Sequence, residues 1–365
     1  MNRSINLSKQ IKLTIIFLLL FVKSFSQTSE IDSIINIIDF RRDSVRAIFD
    51  WVATEIEYDS QSLLLVDETN IMLYNSPTKS IIREVISRRK GVCYHYAELF
   101  NALLTRLGYQ SYVIDGYVMQ EDIINNKYAH AWNAVKVKDK WFLYDPTWSA
   151  GYVRNFIFKK RYDEKWYKVS PESFLHTHIP FDPIWQFINP PLSHYQIRDN
   201  DFTIKGTVNF NFQDSIFARL KYTKREECWT SLQRVKEMGL TNNLIEKYAK
   251  NLMINYDLAT IQSARDSLRM AINYYNKYIY SRNNRFKKPV WTDNMIRSNL
   301  GDIKMKIDAS NILLDSVNSS DLRLAQYKSE TKKQILSLKE SVDSETIFIN
   351  KYLSIWSRLR SAYKF

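Results

Sequence analysis

The rhythm of hydrophobic and polar positions changes a little past the middle of the chain. In the first half, short patterns of both periods alternate. Tyr96, Phe100, Leu103, Leu104 and Leu107 recur at i, i+4, i+7, i+8 and i+11, which predicts one amphipathic helix, and Gly108 follows where a C′ residue belongs. Further on, AHAWNAVKV and KWFLYD read as two strands around a short polar turn at residues 138–140. The run DFTIKGTVNFNF, residues 201–212, alternates like another strand. From Asp214 onward the period is helical. Leu258, Ile261, Ala264, Leu268, Ala271, Tyr275 and Tyr278 make one stripe, and Ile296, Leu300, Ile303 and Ile307 start a second. Gly239 and Gly301 punctuate these runs. Asp321 is placed to cap a last helix carrying Leu322, Tyr327, Ile335, Leu338 and Val342. There is no clean fixed-length repeat and no sustained heptad.

Proline sharpens the division, because seven of the eight prolines precede residue 200. A turn-rich mixed half is expected over 27–200, and an all-α helical half over 201–365. The first 26 residues stand apart from both. Arg3, Lys9 and Lys12 precede the apolar run LTIIFLLLFV, and the small residues Ser24 and Ser26 follow it. That order matches a secretory signal peptide, residues 1–26, with cleavage near Ser26. The run is short for a bilayer span, so a retained anchor is the less favoured reading and no transmembrane helix is expected in the mature chain. Export to a periplasm, a cell surface or the medium is the expectation.

Charge changes the picture only in its distribution. Residues 27–200 hold 20 basic and 22 acidic side chains, whereas 201–365 hold 28 and 17. The second half therefore carries +11 against −2 for the first. A basic half in an exported protein suits an anionic envelope component better than nucleic acid, with a solvated basic helix surface as the plain alternative. Two cysteines allow at most one bridge and exclude a disulfide-built scaffold.

Cys93 lies in KGVCYHYAELF, three residues ahead of Tyr96 and so on the inward stripe at the helix start. Unpaired N–H groups and the positive end of the helix favour a thiolate there, and the same N–H groups suit a developing oxyanion. A buried structural cysteine fits the position too. A nucleophile needs a base, and the base needs an orienter. His95 is two residues away and points elsewhere on a helix. His130 is better placed. A two-residue turn between the strands puts His130, Trp132 and Ala134 on one face with Trp141, Leu143 and Asp145. His130 and Asp145 are then a short diagonal apart, as a base and its carboxylate orienter would be. Each has a plain alternative: Asp145 before Pro146 as a turn residue, His130 as a satisfied strand end. Cys228, in REECWTSLQ, reads as a structural helix residue.

Taken together, GVC-x-x-YA-x-LF-x-x-LL-x-x-LG, then HAWN, then W-x-x-x-DPTW, resembles the transglutaminase-like superfamily. The resemblance begins near Arg46, where AIFDWVATEIEYD is similar to the family's entry helix, and is clearest to about Tyr152. The tail SPESFLHTHIPFDPIWQFINPPLSHYQI is similar to that of the kyphoscoliosis-peptidase-type branch and carries the match to about residue 197. The family implies an α+β, papain-like core in which a helix carrying the cysteine packs on an antiparallel sheet carrying histidine and aspartate. It implies a catalytic triad of Cys93, His130 and Asp145. His178, Trp185 and Gln186 read as packing around the core, and Trp51 and Tyr58 as core aromatics. Tyr94 and His95 are bulkier than the family's usual residues after the cysteine, and no motif places a second oxyanion donor. No cofactor is implied, and Asp67, Glu68, Glu121 and Asp122 make no ligand-spaced calcium loop.

The resulting expectation is an exported cysteine enzyme performing acyl transfer or hydrolysis on peptide or carboxamide bonds through a thioester. Its partner would be a peptide or protein substrate. The reading from another class is a non-catalytic envelope scaffold that binds peptide in the same groove and an anionic partner through its basic half.

Overall fold

The computed structural model describes residues 30–41, 43–65, 78–204, 210–356 and 359–360. The expected leader at 1–26 and the acidic pair Asp67 and Glu68 lie outside these residues. The chain forms two compact units. One comprises the described residues up to Ala218 together with Arg234–Tyr248, and the other comprises Arg219–Gln233 and the residues from Ala249 on.

The first unit is α+β. Helix α1 (Ser44–Glu55) starts where Asp43 accepts a hydrogen bond from Val45 N–H, and it buries Val45, Ile48, Phe49 and Val52. The two-residue strands β1 (Glu57–Tyr58) and β2 (Lys90–Gly91) pair in parallel on either side of α2 (Thr78–Arg88). Helix α3 (Cys93–Arg106) follows β2 after a single residue, Val92. The antiparallel sheet is built from β3 (Ser111–Gln120), β4 (Ile123–Ile124), β5 (His130–Val137) and β6 (Lys140–Tyr144) in the order β4-β3-β5-β6. Short helix α4 (Pro146–Ala150) leads into the hairpin β7 (Gly151–Arg154) and β8 (Ile157–Lys160). Strand β9 (His178–Pro180) then pairs with the far half of β3.

Four of the five residues on the expected helix face pack, and Leu107, past the end of α3, is 38% exposed. Tyr96, Phe100, Leu103 and Leu104 are fully buried against α1 and the sheet residues Val135 and Tyr144. Burying side chains of this size contributes about 2 kcal/mol each. Gly108 closes α3 at φ +85°, a conformation that favours glycine. The hairpin β5–β6 turns on Lys138 and Asp139, both at positive φ as a two-residue hairpin turn demands, and pairs Asn133 with Tyr144 and Ala134 with Leu143. This is the register expected from the two-residue turn. Glu121 and Asp122 also take positive φ, in the turn between β3 and β4.

The long helices are α5 (Lys224–Met238), α6 (Asn243–Asn283), α7 (Asp293–Asp315) and α8 (Leu322–Ser354). In the second unit Ile261, Ala264, Leu268, Ala271 and Tyr278 of α6 meet Ile296, Leu300, Ile303 and Ile307 of α7 and Leu324, Ile335 and Val342 of α8. Asp321 caps α8, accepting from Arg323 and Leu324 N–H. Three expectations are corrected. Gly301 does not break a helix: α7 runs through it, since one glycine costs only about 1 kcal/mol in a helix held by packing. Leu258, set on the first stripe, is 41% exposed. Of the alternating run 201–212, residues 205–209 lie outside the described residues, 201–204 and 210–211 are irregular, and a helix starts at Phe212. Its aromatics join a cluster instead, with Phe212 on Phe187 at 5.6 Å, so packing overrides the two-residue period. Among the described residues, no helix is long and apolar enough to cross a membrane.

Candidate active site

Three motifs converge on one cavity of about 730 Å³, and Cys93, His130 and Trp148 line it together. The first motif supplies the thiol. Cys93 is the first residue of α3, is half-buried, and is free of any disulfide. Gly91 permits this helix start: a Cβ on it would lie 2.5 Å from His95 Cβ. His95 is turned away to the start of the helix. It is buried, and its Nδ1 accepts from Val92 N–H at 3.3 Å as part of the helix cap. Tyr58, at the end of β1 beside β2, borders the same cavity as well as the core, and burial pushes its hydroxyl well above the usual tyrosine range.

The second motif, HAWN, brings an imidazole. Asn133 is fully buried and its Nδ2 donates to Ala97 O at 2.9 Å, which ties β5 to the middle of α3. His130 sits at the start of the same strand, 9% exposed. The third motif, DPTW, supplies the carboxylate and holds it. Asp145 is the N-cap of α4, with Pro146 at its first turn, and Oδ1 accepts from Thr147 N–H at 2.8 Å and Trp148 N–H at 3.0 Å. Oδ2 is left for imidazole, and His130 Nε2–H donates to it at 2.7 Å. Asp145 is therefore a turn residue and a partner of His130 at once.

The electrostatics follow from this geometry. Burial works against charge on His130, but the charge and hydrogen bond of Asp145, with a smaller contribution from Cys93, raise it to about 10. Burial likewise opposes an ionised Asp145. The neighbouring His130, and after it His178, more than offset this and hold the carboxyl well below its usual range. The His130 Nε2 is committed to Asp145, so Nδ1 is the nitrogen left to exchange a proton.

The residue that sequence reasoning missed is His178. It was expected as packing, and it does pack: it is 1% exposed and stacks on Phe174 at 4.0 Å. It also donates from Nε2 to Asp145 Oδ2 at 3.1 Å. Only the pairing of β9 with β3 brings it there, and no local pattern announces that pairing. Trp185 and Gln186 are buried as expected, the amide of Gln186 bonding both N–H and C=O of Leu192. Trp51 carries Arg89 over its ring at the edge of the core.

His130, Asp145 and His178 are also the one group of three potential metal ligands among the described residues, with their ligand atoms within 4.8 Å of one another. Their arrangement is that of hydrogen bonds. Both Nε2 atoms face the same carboxylate oxygen at N–H···O distances, so neither lone pair is turned to an ion.

Comparison with known proteins finds similarity over the first half of the chain. Residues 34–146 match the model of the transglutaminase-like superfamily. Kyphoscoliosis peptidase of Homo sapiens is 30% identical over 184 residues, covering 47% of this chain and 26% of that protein. Cytokinesis protein 3 of Schizosaccharomyces pombe is 27% identical over 154 residues, 41% of this chain and 16% of that protein. The chain thus spans about a quarter of the length of the first of these relatives and about a sixth of the second. A solved structure described as a TGase is 22% identical, with a TM-score of 0.26, over 40% of this chain and 36% of that one.

Proposed function

We propose, from the premise that residues 34–146 belong to the transglutaminase-like superfamily, that this protein is a cysteine enzyme acting on peptide or carboxamide bonds. The observation that carries the reading is the Cys93 thiol at a helix start, sharing a cavity with a His130 whose far nitrogen is held by a buried, ionised Asp145.

In this reading Cys93 and His130 react as a thiolate and an imidazolium. The sulfur attacks the carbonyl carbon of the substrate, forming a C–S bond, and the carbonyl oxygen becomes an oxyanion beside the positive N-terminal end of α3. The intermediate collapses with cleavage of the C–N bond. The Nδ1 proton of His130 passes to the leaving amine, which departs. Water or a second amine then attacks the thioester carbonyl and gives its proton to Nδ1, and the C–S bond breaks to restore the thiolate. Asp145 stays ionised throughout, holding the ring and offsetting its charge. Water as acceptor makes a peptidase or amidase, and an amine makes a cross-linking transferase. The cavity walls carry Tyr128, Trp148, Tyr152, Phe158 and Trp166, which supports apolar and aromatic side chains beside the scissile bond. The pattern of residues 1–26 supports export.

The test is labelling of the full chain with a thiol-directed electrophile, followed by incubation with glutamine-containing peptides and a fluorescent primary amine. Labelling of Cys93 that blocks peptide hydrolysis or amine incorporation supports the reading, and the product formed chooses between the two acceptors. Turnover that survives complete modification of Cys93 contradicts it.

A further inference from the structure

Asp145 Oδ2 accepts from two imidazoles, and only His130 lines the cavity with the thiol. We propose that His178 is a positioning residue of the reacting unit: its Nε2–H pins Asp145 Oδ2 so that His130 is held with Nδ1 toward Cys93. The inference rests on the reading of Cys93, His130 and Asp145 given above.

A carboxylate that caps a helix through Oδ1 keeps freedom to tilt its second oxygen. Here that freedom is removed by two donors on Oδ2, at 2.7 and 3.1 Å. His178 itself is fixed on every side. Phe174 stacks on it at 4.0 Å, and Trp148, Trp166 and Trp132 surround it with ring centroids at 4.5, 5.1 and 5.2 Å. Thr177 Oγ1 lies 2.8 Å from Nδ1. Asp145 is ionised and can only accept, so the ring proton sits on Nε2, the nitrogen that faces it, and Nδ1 accepts from Thr177 Oγ1, whose other contact, Phe174 O, is farther at 3.2 Å. The second imidazole must also be neutral, or its charge would compete with that of His130 for the same oxygen. Burial provides this, lowering His178 to about 4 although Asp145 opposes the shift. The other ionisable groups acting on this pair are Lys165 on His178, and Tyr58 and Tyr96 on Asp145. Filling an aromatic box is the competing explanation. It predicts that phenylalanine would serve as well as histidine.

The two explanations separate in the pH profile of Cys93 alkylation by iodoacetamide, read by peptide mapping of the full chain from about pH 5 to 9. In His178→Phe the rate at neutral pH should fall on the order of tenfold, and the profile should move toward that of glutathione. In His178→Gln an amide N–H replaces Nε2–H, and the profile should stay within about twofold of the parent. Thr177→Val, which frees Nδ1 and loosens the tautomer, should lie between them. A His178→Phe protein with a lower melting temperature but an unchanged profile overturns the proposal, as does His178→Gln behaving like His178→Phe. Should His178→Phe not fold, an unchanged profile in Thr177→Val overturns it instead. Parent Cys93 reacting no faster than glutathione would defeat the reading of the site itself. Fast parent reaction with insensitive His178 variants would defeat the positioning role alone.

Discussion

The two units bury polar groups in different ways, and the difference marks where the proposed chemistry lies. The interior of the second unit is a ladder of aliphatic and aromatic side chains. Three of its buried polar side chains are hydroxyls that donate to backbone carbonyls: Thr260 to Tyr256 O, Thr331 to Tyr327 O and Ser310 to Ala264 O. The first unit buries His95, Glu98, His130, Asn133, Asp145, His178, Asp182 and His194, and several of these bond to one another's side chains. Buried ionisable groups cost several kcal/mol unless they are paired, and a cluster beside a cavity is where that cost is repaid by reactivity. The cysteines draw the same contrast. Cys93 opens a helix at the edge of a cavity, whereas Cys228 lies within α5, 2% exposed, with burial pushing its thiol up.

The sharpest way to break the contrast is substitution within the first unit. Cys93→Ala should abolish turnover, because no thioester forms, and should leave the protein folded at a cost of about 1–2 kcal/mol. His130→Ala should be nearly as severe, with Asp145→Asn intermediate. The losses should not add, since the three groups act together. Steady-state kinetics on single and double variants read this directly, and additive losses would show three independent contributions.

Next in size is stability against pH, which the two units should not share. His178 and His194 are both lowered to about 4 by burial, below the usual value of 6.5. Between those values the unfolded chain binds protons that the folded chain refuses. Stability therefore rises with pH across that window, by at most about 3 kcal/mol per histidine. His130 has the opposite sign. Raised to about 10, it contributes stability that is fully present below 6.5 and is lost as pH climbs through 10. Denaturation of the first unit should thus require most denaturant near pH 6.5, and His130→Ala should flatten the alkaline side. A midpoint indifferent to pH would contradict these protonation states.

Smaller effects are expected in the second unit. Cys228→Ala should cost about 1–2 kcal/mol of stability and leave turnover unchanged. If the basic surface meets anionic envelope material, Arg285, Lys287 and Lys288, exposed between α6 and α7, should contribute to it. Replacing all three with glutamine should weaken retention of the full chain on an anionic matrix and reduce its salt dependence. Unchanged retention would leave that charge as solvation alone.

Much of the site was legible because its geometry is local. A two-residue turn fixes the register of β5 on β6, and that register alone puts His130 within reach of Asp145. The helix stripe behind Cys93 fixed which face of α3 is buried. His178 was legible only as a histidine in a short apolar run, since its partner is set by a strand pairing across some sixty residues. The described ends of the run at 201–212 were misread for a related reason: Phe210 and Phe212 pack into a cluster of aromatics that no two-residue period announces.

The central claim is that Cys93 and His130 form one reactive pair. Its most direct test is the rate at which iodoacetamide alkylates Cys93 at about pH 6, in the parent and in His130→Ala, with glutathione as the reference thiol. The account predicts a parent rate well above that of glutathione and a fall to its level when His130 is removed. A parent Cys93 no more reactive than glutathione, or one whose reactivity is indifferent to His130, would contradict it.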